Sequence, residues 1–275
     1  IVPNLFVINN TTTNSYIFDL IESKINSAYL SGQFSYKDYW FVDFSARNDW
    51  SSTLMYTDGS GNVSYFYPSV SLSWILTDTF RDKLPKAISF AKLRGSYAIV
   101  GKDTDPYFLT TAGSYKFIGL FDGSYPYYGF ANDQLGARNL KPEKQYASEF
   151  GLEMKFLNNR LGLDFAYYKT NTKNQILALE TAPESGVRSK LINAGNIQNQ
   201  GIELLINGTP IKSENWNWDV SVNLTRNRNK IIELTDGVPV YSLPGGGAET
   251  NGYATVGGAY GDIYSSTAYL RDAQG

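Results

Sequence analysis

The chain of 275 residues has no cysteine, no histidine and only two methionines. Without cysteine there are no disulfides and no thiol nucleophile; without either residue there is no Cys/His zinc site and no Ser-His-Asp triad. No stretch approaches the roughly 20 apolar residues that a helical membrane span needs, which excludes such spans and leaves β-barrels open. Neither sign of charge dominates, with 24 Lys+Arg against 26 Asp+Glu, so there is no basic field to attract nucleic acid. Aromatic residues, by contrast, are plentiful: 21 Tyr, 15 Phe and 5 Trp make up 15% of the chain. Tyr and Trp are amphipathic and collect where lipid meets water, as the girdles of membrane barrels.

These residues recur with a period of two. Ala28, Leu30, Gly32, Phe34 and Tyr36 interleave with small polar residues, and Trp40, Val42, Phe44 and Ala46 resume the beat after Lys37-Asp38. The same alternation carries Val70, Leu72 and Trp74; Leu93, Gly95, Tyr97 and Ile99; and Phe150, Leu152, Met154 and Phe156. It continues in Leu161, Leu163, Phe165 and Tyr167; in Ile202, Leu204 and Ile206; and in Trp218, Val220, Val222 and Leu224. Successive strand residues point to opposite faces, so each segment has one apolar and one polar face. A sandwich would turn the apolar face inward, whereas a membrane barrel turns it to lipid. Charges keep almost wholly to the polar phase, as a barrel requires, since a mid-membrane Lys or Arg facing lipid costs about 2–4 kcal/mol. The expectation is an all-β, transmembrane antiparallel β-barrel, with about nine or ten strands of a larger one present.

The predicted connections alternate in length. Lys37-Asp38 and Asn158-Asn159 read as tight turns, Gly208 to Asn215 as a modest link, and Thr77 to Phe90 as helix-like with Asp78 as N-cap and Pro85 as breaker. Asn48 to Phe66, Lys102 to Lys144 and Thr170 to Gln198 read as long loops, with Ile176 to Asn193 extending the strands as a hairpin. Short turns on one side and long loops on the other match outer-membrane barrels. No domain boundary is visible: residues 1–275 read as one portion of a barrel, with the plug and closing strands expected to lie outside it.

Several motifs have bland readings that outweigh sharper ones. Gly95 to Gly101-Lys102 has the wrong glycine spacing for a phosphate loop and Asp103 where Ser or Thr should stand. Asp58-Gly59-Ser60-Gly61-Asn62 begins like a calcium loop but lacks the later Glu. The charged set Asp43, Arg47, Arg94, Glu149, Glu153, Asp164, Glu203 and Asp219 falls on the polar phase and reads as the lining of a wet lumen rather than as paired catalytic acids. No metal site, cofactor or catalytic residue is expected, and no enzyme activity. Within the longest predicted loop, Tyr125, Tyr127, Tyr128 and Phe130 are the candidates for contact with a substrate or a lid, with packing against the barrel as the plainer reading.

A family resemblance rests on blocks in a fixed order. They are Ser35-Tyr36-Lys37-Asp38-Tyr39, Ala46-Arg47-Asn48-Asp49-Trp50-Ser51-Ser52-Thr53-Leu54 and Tyr65-Phe66-Tyr67-Pro68-Ser69-Val70-Ser71. Ala91-Lys92-Leu93-Arg94-Gly95-Ser96-Tyr97, Asn139-Leu140-Lys141-Pro142-Glu143 and Asn158-Asn159-Arg160-Leu161 come next. Asn193-Ala194-Gly195-Asn196-Ile197-Gln198-Asn199-Gln200-Gly201-Ile202-Glu203, Trp216-Asn217-Trp218 and Asn227-Arg228-Asn229-Lys230 complete the order. With these, the chain resembles the later barrel portion of a SusC-like TonB-dependent transporter of the Bacteroidota outer membrane. The resemblance implies a plugged barrel in the bacterial cell outer membrane that imports a large nutrient, an oligosaccharide or a peptide. It further implies a SusD-like surface lipoprotein and the TonB complex as partners, the latter acting through regions outside this chain. Two other readings stand beside it: a siderophore or metal-chelate receptor of the same superfamily, and a secreted β-rich binding or adhesion domain.

Overall fold

The structure, a computed structural model, describes residues 22–56, 58–105, 115–130, 134–135, 140–243 and 250–265. Eight long antiparallel strands form a continuous wall: β1 (Ile25–Tyr36), β2 (Trp40–Ser51), β3 (Ser64–Ile75), β4 (Ile88–Lys102), β8 (Glu143–Phe156), β9 (Leu161–Glu180), β10 (Ser189–Lys212) and β11 (Asn217–Glu233). They pair in chain order, and the short β7 (Gln134–Leu135) joins β10 in parallel to complete a nine-stranded sheet. Two smaller sheets are formed by β5 (Tyr115–Phe121) with β6 (Tyr125–Phe130), and by β12 (Val240–Ser242), β13 (Thr250–Thr255) and β14 (Tyr260–Ser265). Each segment of alternation in the sequence is a strand of the wall. The wall does not close on itself, as expected of part of a larger barrel.

Antiparallel partners place their side chains on the same face, so the registers trace rows across the sheet. One row runs Tyr36, Trp40, Trp74, Leu93, Leu152, Phe165, Leu204 and Leu224. Beside it on the same face run Phe34, Val42, Leu72, Gly95, Phe150, Tyr167, Ile202 and Arg226. The opposite face carries Ser35, Phe41, Ser73, Arg94, Gly151, Ala166, Glu203 and Thr225, flanked by Gln33, Asp43, Ser71, Ser96, Glu149, Tyr168, Gly201 and Asn227. The apolar face is uncovered: Phe34 is 72% exposed and Leu224 56%. A sandwich would have buried that face against a second sheet; here the face meets its surroundings directly, which is the condition of a barrel wall in lipid.

Short connections gather at one end. The β1–β2 turn holds Lys37 and Asp38 at φ of 50° and 56°, and the β8–β9 turn holds Leu157, Asn158 and Asn159 at 54°, 56° and 65°. Left-handed backbone of this kind matches the strand twist in a tight hairpin. At the other end, buried clusters sit where the connections fold back: Leu54, Leu140 and Leu191 form one, and Ile197, Ile231, Leu234 and Ala254 another.

Three expectations need correction. The long loops are shorter than the hydropathy indicated, since β2 runs to Ser51 and β3 starts at Ser64, while β9 and β10 leave only residues 181–188 between them. Alternation fades there because both faces become polar, yet the backbone ladder persists, as hydrogen bonding does not depend on side-chain hydropathy. The region from Thr77 to Phe90 holds only one helical turn, α1 (Leu76–Thr79), and β4 begins already at Ile88. Asp78 does not cap it; the position before the turn is Ile75, without a side-chain bond, and Asp78 pairs instead with Arg81 at 3.0 Å. Asn139 lies outside the described residues.

Candidate functional site

All eight charged candidates stand on the polar face, where the registers bring several of them together. Arg94 on β4 sends Nη2 to Asp164 Oδ1 at 2.9 Å and Nη1 to Oδ2 at 3.2 Å on β9, two strands away, and its Nε lies 3.5 Å from Glu149. The guanidinium reaches Asp164 by passing over Gly151 of the strand between; a Cβ there would stand 2.7 Å from Arg94 Cγ and Cζ. Glycine in mid-strand is explained by this crossing. Asp43 accepts from Gln33 Nε2 at 2.6 Å and from Ser71 Oγ at 3.4 Å. Arg47 pairs with Asp49 at 2.7 Å and donates to Ser27 Oγ, while the Tyr67 hydroxyl also donates to Asp49. Glu153 meets Lys155 at 3.2 Å, and Asp219 accepts from Thr209 and Asn217. Glu203 is exposed and makes no ion pair with any described residue. The set is a string of local ties spread along a face, not a convergent cluster.

The aromatic candidates split between the two faces of the β5–β6 hairpin. Tyr128 and Phe130 stand opposite Phe117 and Tyr115; Phe130 stacks on Tyr115 at 5.0 Å and Tyr128 meets Phe117 edge-on at 6.0 Å. Tyr125 and Tyr127 stand on the other face, opposite Phe121 and Gly119. The outer rings are open, Tyr125 at 68% and Phe121 at 72% exposure. Phe130 lies within van der Waals reach of the Gly186 position, at the tip joining β9 to β10. Both sides of the hairpin are presented, since Tyr115, Phe117 and Tyr128 are exposed as well; Phe130 is half-buried.

Sequence reasoning missed the residues that tie the long connections down. Asn193 on β10 accepts from Lys141 N at 2.6 Å and donates to the Lys141 and Asn174 carbonyls at 2.8 and 2.9 Å. Two of the family-like blocks are thus joined by one side chain. Asp103 accepts from Ser51 Oγ at 2.7 Å and Thr53 Oγ1 at 3.0 Å, holding the turn after β2 against the end of β4. A recess of about 930 Å³ lies between the β9–β10 tip and β12–β13, lined in part by Leu179, Glu180, Val187, Tyr241, Leu243 and Tyr253. There the Tyr241 hydroxyl donates to the Ala178 carbonyl at 3.3 Å, and burial, with Tyr260 and Glu180 nearby, pushes its phenol pKa up. Nothing in the alternation announced β12 to β14, because strands of three to six residues leave too few positions to show a period.

A sheet with one uncovered aromatic face, one polar charged face, and short and long connections segregated by end defines a wall of an outer-membrane barrel. Residues 3–271 match the TonB dependent receptor-like β-barrel family, and the chain belongs to it. It is 28% identical over 229 residues, 82% of its length, to TonB-dependent receptor P3 of Formosa agariphila, and 27% identical over 215 residues, 74% of its length, to TonB-dependent receptor SusC of Bacteroides thetaiotaomicron. Those matches cover 22% and 20% of the two receptors, so the chain spans about a fifth of the length of these relatives. The solved structure of the RagAB peptide transporter superposes with a TM-score of 0.72 at 24% identity, over 93% of this chain and 27% of that one. The chain is thus part of a TonB-dependent receptor β-barrel of the outer membrane, similar to SusC.

Proposed function

We propose that the whole protein imports a large nutrient, an oligosaccharide or a peptide, across the outer membrane with a SusD-like lipoprotein as lid and TonB as the source of energy. The observation that carries this reading is the polar face. Its carboxylates and arginines lie on one phase of six wall strands, β2, β4 and β8 to β11, from Asp43 to Asp219, as the lining of a hydrated path would. This chain then supplies wall strands, while a plug and further strands outside residues 1–275 complete a barrel of the plugged, about 22-stranded class. No bond of the substrate is made or broken; the polar ties above hold side chains against the wall and leave the route wet. The exposed rings of the β5–β6 hairpin, Tyr125, Tyr127 and Tyr128 with Phe121, offer stacking surface to a sugar face or a peptide side chain, or to the lid. Similarity to SusC and to the RagAB peptide transporter supports this reading.

The test is deletion of residues 123–130 in the full-length receptor, followed by uptake of labelled oligosaccharides and labelled peptides in cells. Reduced uptake with unchanged heat-modifiable gel migration is expected, because loop deletions spare the strand ladder. Unchanged uptake of both substrate classes would confine the hairpin to packing, and equal uptake by cells lacking the receptor altogether would remove the transport reading.

A further inference from the structure

On β8 to β11 the outward face changes character above the apolar belt. Its next positions are Lys144 on β8, Lys169 and Lys173 on β9, and Arg226, Arg228 and Lys230 on β11. The outward positions of these four strands carry no Asp or Glu through Lys230; the nearest carboxylate in register, Glu233, pairs with Asn196 beyond a register shift. None of the six cations makes an ion pair with a described residue. Lys144 and Lys173 are direct cross-strand partners, a like-charge arrangement that destabilises a ladder unless an anion lies between. Lys173 is partly held over the Tyr146 ring at 5.5 Å. On β11 the three cations repeat every second residue, about 7 Å apart along the strand. Every inward position on the same strands that bears a carboxylate, such as Glu149 and Asp164, faces away from them.

We propose that this collar binds the phosphate groups of an anionic glycolipid in the outer leaflet of the membrane. It lies at the long-connection end, which in such barrels faces outside. It adjoins the apolar belt directly, at Tyr167 and Leu224, so a lipid whose chains lie on the belt presents its headgroup to the cations. The inference rests on the outward reading of the apolar face and is independent of what the barrel transports.

The experiment uses the full-length receptor in mild detergent, with a fluorescent phosphorylated lipid A and its dephosphorylated form as probes. Wild type should bind the phosphorylated probe at least tenfold more tightly. Joint Arg226→Gln, Arg228→Gln and Lys230→Gln should abolish most of that preference, since each cation near an anionic surface contributes separately. Joint Arg226→Lys and Arg228→Lys should keep it, and Lys155→Gln on the inward face should leave it unchanged. If the glutamine variant fails to assemble, the two wild-type affinities still decide. Equal binding of both probes by wild type overturns the proposal. So does a glutamine variant that keeps its preference, or one that instead loses an acidic protein that copurifies with wild type.

Discussion

Arg94 shows how much one side chain on the polar face depends on its neighbours. Its bond to Asp164 exists because Gly151, between them, has no side chain. Arg94→Ala should lower the stability of the assembled receptor by about 1 kcal/mol, the scale of a partly exposed, bidentate ion pair. Gly151→Val should cost at least as much by displacing the guanidinium, and the double variant little more than Gly151→Val alone; fully additive losses in urea titrations would show that the two are uncoupled. On the other face, Phe165→Arg should impair assembly by about 2–4 kcal/mol, because its place in the central apolar row is near mid-membrane. The phase of these residues was legible in the sequence, since alternation alone assigns the face. Which of them pair was not: a period of two is unchanged when a strand slides by two residues, so Arg94 and Asp164 could be put on one face but not in contact.

The strands themselves were read where lipid enforces alternation, and lost where it does not. Leu161 to Tyr167 announces β9, but the strand goes on to Glu180 through Thr170, Asn171, Thr172 and Lys173, where no hydropathy signal remains. Beyond the membrane the elements are held by side chains that hydropathy cannot rank, Asn193 foremost. Its amide occupies the Lys141 N–H and two carbonyls, so Asn193→Ala leaves three backbone groups to find water or go unmet, at about 1–3 kcal/mol each where they stay buried. The expected outcome is faster proteolytic nicking within residues 103–142 of the full-length receptor, with unchanged barrel assembly. Loss of assembly would mean that this tie is needed to form the wall and not merely to dress it.

The boundary of the apolar belt crosses the whole sheet on a slant, which follows from the way barrel strands lie in a membrane. With strands about 4.8 Å apart and tilted by about 40°, each step to a neighbour displaces the membrane level by about 3 Å, or roughly one residue. The rows show this drift. Gly32, Phe44, Val70 and Tyr97 are in register with Ser148, Lys169, Gln200 and Arg228, so one row begins apolar and ends charged. The other edge moves the same way: Trp40 and Trp74, stacked at 4.7 Å, sit at the short-turn ends of β2 and β3, in register with Leu224 in the middle of β11. On β11 the belt then continues through Val222 and Val220 to Trp218 near its own short-turn end. A flat water-exposed sheet has no reason to shift its apolar stripe by a constant amount per strand. Single cysteines at Phe44 and Lys169 test the slant, because they share a register row but should lie at different depths. In the assembled receptor Phe44→Cys should react with a lipid-phase reagent and Lys169→Cys with a membrane-impermeant one, while Leu72→Cys follows Phe44 and Ser71→Cys on the polar face reacts only from water. If Phe44 and Lys169 label alike, the strands are not tilted as a barrel requires, and water-phase labelling of both Phe44 and Leu72 would take the apolar face out of the bilayer.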